Sequence, residues 1–110
     1  MEKSIKISIV RPGKAVLTTE ASHLVIPAWN GEMGIFYNRL PLMSTMAPGL
    51  ITLTNENGKK SFFATTGGFA EVENNKVTLL CDSLITQDTI PEDEQSKRLL
   101  EKIKNKIAQQ

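Results

Sequence analysis

Ile51-Thr52-Leu53-Thr54-Asn55-Glu56-Asn57-Gly58-Lys59-Lys60-Ser61-Phe62-Phe63-Ala64-Thr65 decides the fold. At its start, Ile51 and Leu53 alternate with Thr52 and Thr54. Successive side chains of an extended chain point to opposite faces, so this alternation buries one face and leaves the other wet. Asn57-Gly58 then breaks the pattern. Both residue types tolerate positive φ, so the chain reverses there and Phe62–Thr65 returns as the second strand of a hairpin.

The same period extends outward in both directions. Ile5, Ile7 and Ile9 alternate with Lys6 and Ser8, and Val77, Leu79 and Cys81 alternate with Thr78, Leu80 and Asp82. Turn signals recur at Pro12-Gly13, Asn30-Gly31, Pro48-Gly49 and Asn74-Asn75. Many short half-buried strands with frequent turns predict an antiparallel sandwich or barrel.

After Thr89 the period changes. Leu99, Leu100, Ile103 and Ile107 recur at helical spacing. Thr89 as N-cap and Glu92 three residues on form a capping box, and Pro91 fits a first turn where its missing N–H is not needed. Acids at Glu92, Asp93 and Glu94 and lysines at Lys102, Lys104 and Lys106 match the two ends of a helix dipole. The expected helix runs from Ile90 to Ala108, on the order of 28 Å at about 1.5 Å per residue. The organisation is thus mainly β with a C-terminal helix: a β-sandwich domain over residues 1–88, then a single-helix segment over 89–110. The apolar stripe of that helix must cover itself on the sandwich or on another subunit.

Composition sets the limits on function. The 110 residues carry a net charge of +1, with 40% hydrophobic and 23% charged residues. That suits one domain with a short appendage and offers no electrostatic footprint for nucleic acid or an anionic membrane. The lone Cys81 cannot form an internal disulfide or a cysteine-based zinc site. No apolar run is long enough to cross a bilayer, and Met1-Glu2-Lys3 leads directly into a strand pattern without a signal peptide. Membrane association is therefore expected only through a partner.

The residues that could carry chemistry read as structural. His23 is the only histidine and has too few converging groups for a metal centre or a nucleophilic triad. Cys81 reads as a small core residue. Thr66-Gly67-Gly68 lacks the lysine and the following helix of a phosphate loop, and reads as a bend or bulge where backbones approach closely. Met33, Met43 and Met46 read as gap fillers. Trp29, beside Asn30-Gly31, either packs down or serves an interface. Glu71 and Glu73 share one solvated strand face. No catalytic residue, metal site or cofactor is expected, and the chain reads as a binding or structural module.

Three blocks carry a family resemblance: Gly31-Glu32-Met33-Gly34-Ile35-Phe36 with Pro41-Leu42 and Pro48-Gly49, then Gly67-Gly68-Phe69-Ala70-Glu71-Val72, then Val77-Thr78-Leu79-Leu80-Cys81-Asp82. In order and approximate spacing they resemble the epsilon subunits of F-type ATP synthases. The resemblance implies a ten-stranded antiparallel β-sandwich of two sheets, followed in the family by a two-helix hairpin. It implies a non-catalytic rotor subunit at the foot of the central stalk, coupling proton translocation to ATP synthesis. The implied partners are the gamma subunit and the membrane ring, with no nucleic acid. The implied place is the cytoplasmic face of the bacterial inner membrane, ahead of a plastid thylakoid. The loop with Glu32 and the residues after it would face the ring, and the following strand would face gamma. The interface residues implied are Glu32, Gly34, Phe36, Arg39, Pro41 and Met43.

Three departures accompany the resemblance. Tyr37-Asn38-Arg39-Leu40-Pro41-Leu42 stands where the family has P-G-H-A-P-L; Asn38 still tolerates the left-handed region. Cys81 takes an alanine-like position. The family has about one more helix, so a reduced inhibitory arm is expected, and Ile90-Pro91-Glu92-Asp93-Glu94-Gln95 does not reproduce the family's nucleotide motif. Two other readings compete: a β-sandwich adaptor or ligand-binding module outside any ATPase, and a cupin-like barrel enzyme. The single histidine argues against the enzyme.

Overall fold

The computed structural model describes residues 3–110; Met1 and Glu2, expected just ahead of the first strand, lie outside the described residues. The strands are β1 (Ile5–Val10), β2 (Leu17–Ala21), β3 (His23–Ala28), β4 (Gly31–Phe36), β5 (Leu42–Met46), β6 (Gly49–Thr54), β7 (Lys60–Thr65), β8 (Gly68–Glu73), β9 (Lys76–Cys81) and β10 (Leu84–Ile85), followed by α1 (Glu94–Ala108). The alternation at Ile5, Ile7 and Ile9, at Ile51 and Leu53, and at Val77, Leu79 and Cys81 points as expected, with all eight side chains buried.

The ten strands form one hydrogen-bonded sheet in the order β10-β7-β6-β3-β5-β8-β9-β1-β2, with β4 on the free side of β3. The sheet folds over at β3 and β5, which meet through the single pair Ala28–Met46. One leaf is β2-β1-β9-β8-β5 and the other is β4-β3-β6-β7-β10. Their inner faces share one core, with Ile7, Val72 and Leu79 from the first leaf and Leu24, Ile35 and Ile51 from the second. The two expected sheets are therefore joined at one corner.

One ladder departs from the antiparallel expectation. β1 and β9 pair in parallel, Lys6 with Lys76 through Val10 with Leu80. No tight turn joins these two strands, so nothing local forces them antiparallel, and no short-range signal betrays the pairing.

Turn chemistry explains the corners. Asn74 and Asn75 both have positive φ, 52° and 63°, closing the β8–β9 hairpin in the conformation such two-residue turns need. At the hairpin predicted from Asn57-Gly58, only Gly58 has positive φ, at 82°. The connection spans residues 55–59, where Asn55 Oδ1 accepts the N–H groups of Asn57 and Lys59, each at 2.9 Å. The expected close approach at Gly67-Gly68 is present. Both have positive φ, and a Cβ on Gly68 would collide with the carbonyl oxygen of Leu80 on the neighbouring strand.

The helix begins later than the sequence predicts. Ile90 precedes Pro91, whose ring disfavours the helical region for the residue before it. Thr89 is not an N-cap: its Oγ1 accepts the Thr86 N–H at 2.9 Å. The cap is Asp93, extended at φ −138° and ψ 174°, whose Oδ1 accepts the Ser96 N–H at 2.7 Å. Leu99, Leu100 and Ile103 pack with Ala64 and Ile85 on the outer face of the second leaf, flanked by Leu50 and Phe62. Ile107, expected in the same stripe, is 40% exposed because it lies in the last turn, beyond the clustered contacts. Three buried side chains at about 1.5–3 kcal/mol each, an upper bound, hold the helix down.

Candidate docking interface

The register gathers the connections at two ends of the sandwich. His23 pairs with both Phe36 and Thr54, and Leu42 pairs with Val72. The loop of residues 37–41, the 55–59 connection and the Asn74-Asn75 turn therefore share one end. Trp29-Asn30 and the Gly67 bend lie at the other, where Ala28 meets Met46 and Met46 meets Gly68.

The six expected interface residues divide between these regions. Glu32, Gly34 and Phe36 alternate along the outer side of β4, paired with Pro27, Val25 and His23. Arg39 and Pro41 are exposed in the loop, where the Arg39 N–H donates to the Phe36 carbonyl at 3.2 Å. Met43 is exposed on the outer face of the first leaf, beside Glu71. The sequence reading put Glu32 and Arg39 on one loop, and the structure corrects it. Glu32 lies within β4, beside the Trp29-Asn30 turn, and the strand from Glu32 to Phe36 spans roughly 13 Å at about 3.3 Å per residue. The reason is local: Gly31 closes the turn and β4 then pairs with β3 along its whole length, while Gly34 hides the alternation.

Gly34 has a packing role. The rings of His23 and Phe36 stack at 4.1 Å with an 8° tilt. A Cβ at Gly34 would lie 3.3 Å from His23 Nε2 and 3.4 Å from the Phe36 ring. His23 is half-buried in this stack, in keeping with its structural reading.

The outer face of the first leaf is layered by its register. Thr45, Phe69, Leu80 and Val10 form one cross-strand row, and Met43, Glu71, Thr78, Ser8 and Thr18 the next. The last row is Glu73, Lys76, Lys6 and Glu20, where each lysine has one glutamate beside it. An open cleft of about 490 Å³ lies over Lys6, Ser8, Thr18, Glu20, Lys76 and Thr78. Opposite charges on adjacent strands stabilise the ladder modestly, so this row reads as a solvated face.

Among the described residues no group of three or more His, Cys, Asp or Glu could hold a metal ion. Burial pushes the Cys81 thiol up and keeps it protonated, with the Thr65 hydroxyl opposing that rise. Among the same residues no helix is long and apolar enough to cross a membrane.

Exposed apolar side chains mark the surface instead. Phe36 is 55%, Leu40 79% and Met43 65% exposed, all within residues 36–43, and Trp29 is exposed at the opposite end. Trp29, 71% exposed, is not packed down. The methionines split: Met46 is in the core, Met33 packs against it, and Met43 faces out. Leu40 and Leu80 were missed as surface candidates. Leu80 carried a signal, an apolar residue at an outward position of an alternating strand; Leu40 carried none.

A model of the family described as "ATP synthase, Delta/Epsilon chain, beta-sandwich domain" matches residues 4–87. The ATP synthase epsilon chain of Sinorhizobium fredii is 37% identical over 90 residues, 82% of this chain and 67% of the relative. That of Desulfitobacterium hafniense is 45% identical over 83 residues, 76% of this chain and 62% of the relative. That of Nitratidesulfovibrio vulgaris is 34% identical over 109 residues, 99% of this chain and 80% of the relative. The matched region thus spans about three fifths to four fifths of these relatives' length. In the Euglena gracilis mitochondrial ATP synthase, solved with its OSCP, F1 and c-ring, one chain superposes with a TM-score of 0.74 at 21% identity, over 98% of this chain and 66% of that one. A chain of the Tetrahymena thermophila mitochondrial ATP synthase central stalk and c-ring does so at 0.62 and 14% identity, over 94% of this chain and 91% of that one. At such identities the likeness speaks for the fold alone. With the family model spanning every strand from β1 to β10, and bacterial epsilon chains matching along nearly the whole sequence, the chain belongs to the ATP synthase epsilon chain family.

Proposed function

We propose that this chain is a non-catalytic subunit of the central stalk of a rotary F-type ATP synthase. It turns with the rotor and couples proton translocation through the membrane ring to ATP synthesis. The observation that carries this reading is the family match over residues 4–87, together with the exposed apolar side chains Phe36, Leu40 and Met43. The partners are the gamma subunit and the ring. The sandwich of residues 1–88 is the docking body and residues 89–110 are an appended arm. Arg39 and Pro41 on the loop, Phe36 and Gly34 along β4, Glu32 near the far turn and Met43 on the first leaf supply the contacts. The row of Val10, Leu80 and Phe69 continues the face on which Met43 lies. The relatives named are bacterial, which supports a peripheral place on the cytoplasmic face of the inner membrane. In its docked form α1 holds back from the catalytic head, so the arm inhibits hydrolysis weakly.

A tagged chain expressed in its own host and recovered from detergent-solubilised membranes is expected to bring down gamma and ring subunits. Recovery without either would overturn the assignment. Ending the chain at Asp88 is expected to leave ATP hydrolysis by the assembled complex little changed; a large rise would show a strongly inhibitory arm.

A further inference from the structure

The 37–41 loop is pinned from outside its own strands. Asn38 adopts φ 63° and donates its backbone N–H to Asn75 Oδ1 at 2.6 Å, while Asn75 Nδ2 donates to Asn38 Oδ1 at 3.4 Å. Asn75 is itself fixed. It sits at φ 63° in the β8–β9 turn, and its carbonyl accepts the Lys6 N–H at 2.9 Å. A surface loop joining the two leaves is thereby tied to β1, β8 and β9. Directly beyond the tie stand Arg39, exposed, and Leu40, the more exposed of the loop's apolar side chains, with Phe36 and Met43 on either side.

Isolated surface loops of polar residues are usually free to move. Here two asparagines pin the loop that presents Arg39 and Leu40 to solvent, between Phe36 at the end of β4 and Met43 in β5. Ordering a loop in advance removes a cost otherwise met on binding, which is what a contact surface gains from such a clamp. We propose that the Asn38–Asn75 clamp makes the Phe36–Met43 corner a preorganised docking tip, with Asn75 as its positioning residue. The occupant it fits is a stalk-protein surface carrying a carboxylate for Arg39 beside an apolar depression for Leu40. This rests on the functional reading above and adds to it the chemistry of the partner and a residue far from the loop in sequence.

Two substitutions separate clamp from scaffold. Asn75→Gly keeps the positive φ and the backbone carbonyl but loses the side chain; Asn75→Asp keeps an acceptor for the Asn38 N–H. In the free chain, hydrogen exchange at the Asn38 amide is expected to quicken roughly tenfold or more in N75G and to stay slow in N75D. Unchanged exchange in N75G overturns the clamp. In binding to a complex stripped of this subunit, N75G is expected to weaken affinity about tenfold at an unchanged melting temperature, with N75D restoring most of it. Equal affinity for N75G and the native chain, or no recovery in N75D, overturns the positioning role. For the partner's chemistry, Arg39→Glu is expected to lose more affinity than Arg39→Gln, and Leu40→Ser about tenfold. Tighter binding by R39E overturns the carboxylate. Failure of the native chain itself to rebind would bring down the stalk assignment and the docking surface together, while the exchange experiment still decides the clamp.

Discussion

The two outer faces of the sandwich are built from the same kind of alternating strand and treated differently by the chain. On the second leaf, Ala64 and Ile85 disappear beneath Leu99, Leu100 and Ile103 of α1. On the first leaf, Leu80 stays 46% exposed in a row with Phe69 and Val10, and no described element is laid over it. The second leaf is covered by the chain's own helix over β6, β7 and β10, while its β4 margin, with Glu32 and Phe36, stays open. The first leaf retains exposed apolar surface at Leu80, and removing such area from water is favourable wherever a cover comes from. Substitutions beneath α1 should therefore register in stability, and those on the uncovered Leu80 row in binding.

The largest effect tests the frame that both faces depend on. Gly68→Ala forces a Cβ into the Leu80 carbonyl at a positive φ, so β8 and β9 must separate. A loss of roughly 3–5 kcal/mol is expected in urea unfolding. A native-like midpoint would mean that the ladder yields easily there. Next, Ile103→Ala is expected to cost about 2–4 kcal/mol or to release α1 outright, read as a drop in helical circular dichroism with the β signal retained. Leu80→Ser is expected to change stability by no more than about 0.5 kcal/mol while weakening recovery of stalk subunits. Should L80S destabilise the chain as much as I103A does, the contrast between the covered strands and the uncovered row would collapse.

The smallest effect concerns the start of the helix that lies over the second leaf. The Ser96 N–H bonded to Asp93 lowers that carboxyl below its ordinary value. A folded pKa below the unfolded one means that the stabilisation is complete above the unfolded pKa and is lost as pH falls through the folded one. Helicity of α1 should thus decline in that acidic window, and Asp93→Asn, still a good cap, should remove the dependence. An unchanged acid profile in D93N would assign the decline to other groups.

Legibility in the sequence followed the range of the interaction. Strands with a dry face announced themselves through Ile5–Ile9, Ile51–Leu53 and Val77–Cys81, because period two is a local consequence of one-sided burial. The Gly67-Gly68 approach and the left-handed Asn38 were legible for the same reason: the residue types name their own backbone. The parallel β1–β9 ladder was not, since its two strands are far apart in the chain and no turn links them. The helix start was misplaced because Thr89 and Glu92 have the right spacing, yet Pro91 vetoes the residue before it and Asp93 supplies a better cap. At the candidate interface, the grouping of the named residues was not legible. Nothing local shows that Glu32 and Arg39 stand at opposite ends of β4, or that Asn75 reaches across to Asn38.

The parallel β1–β9 ladder also has a mechanical meaning. Hairpin strands pulled apart at their open ends peel, one rung after another, so each hydrogen bond meets the load alone. The five register pairs from Lys6–Lys76 to Val10–Leu80 sit differently. Tension between the start of β1 and the end of β9 runs along both strands and strains all five rungs together, in shear. The sandwich would then have its stiffest axis along that seam. Pulling single molecules between residues 4 and 83 should give a higher rupture force than pulling across the β8–β9 hairpin, and equal forces would deny the seam that role.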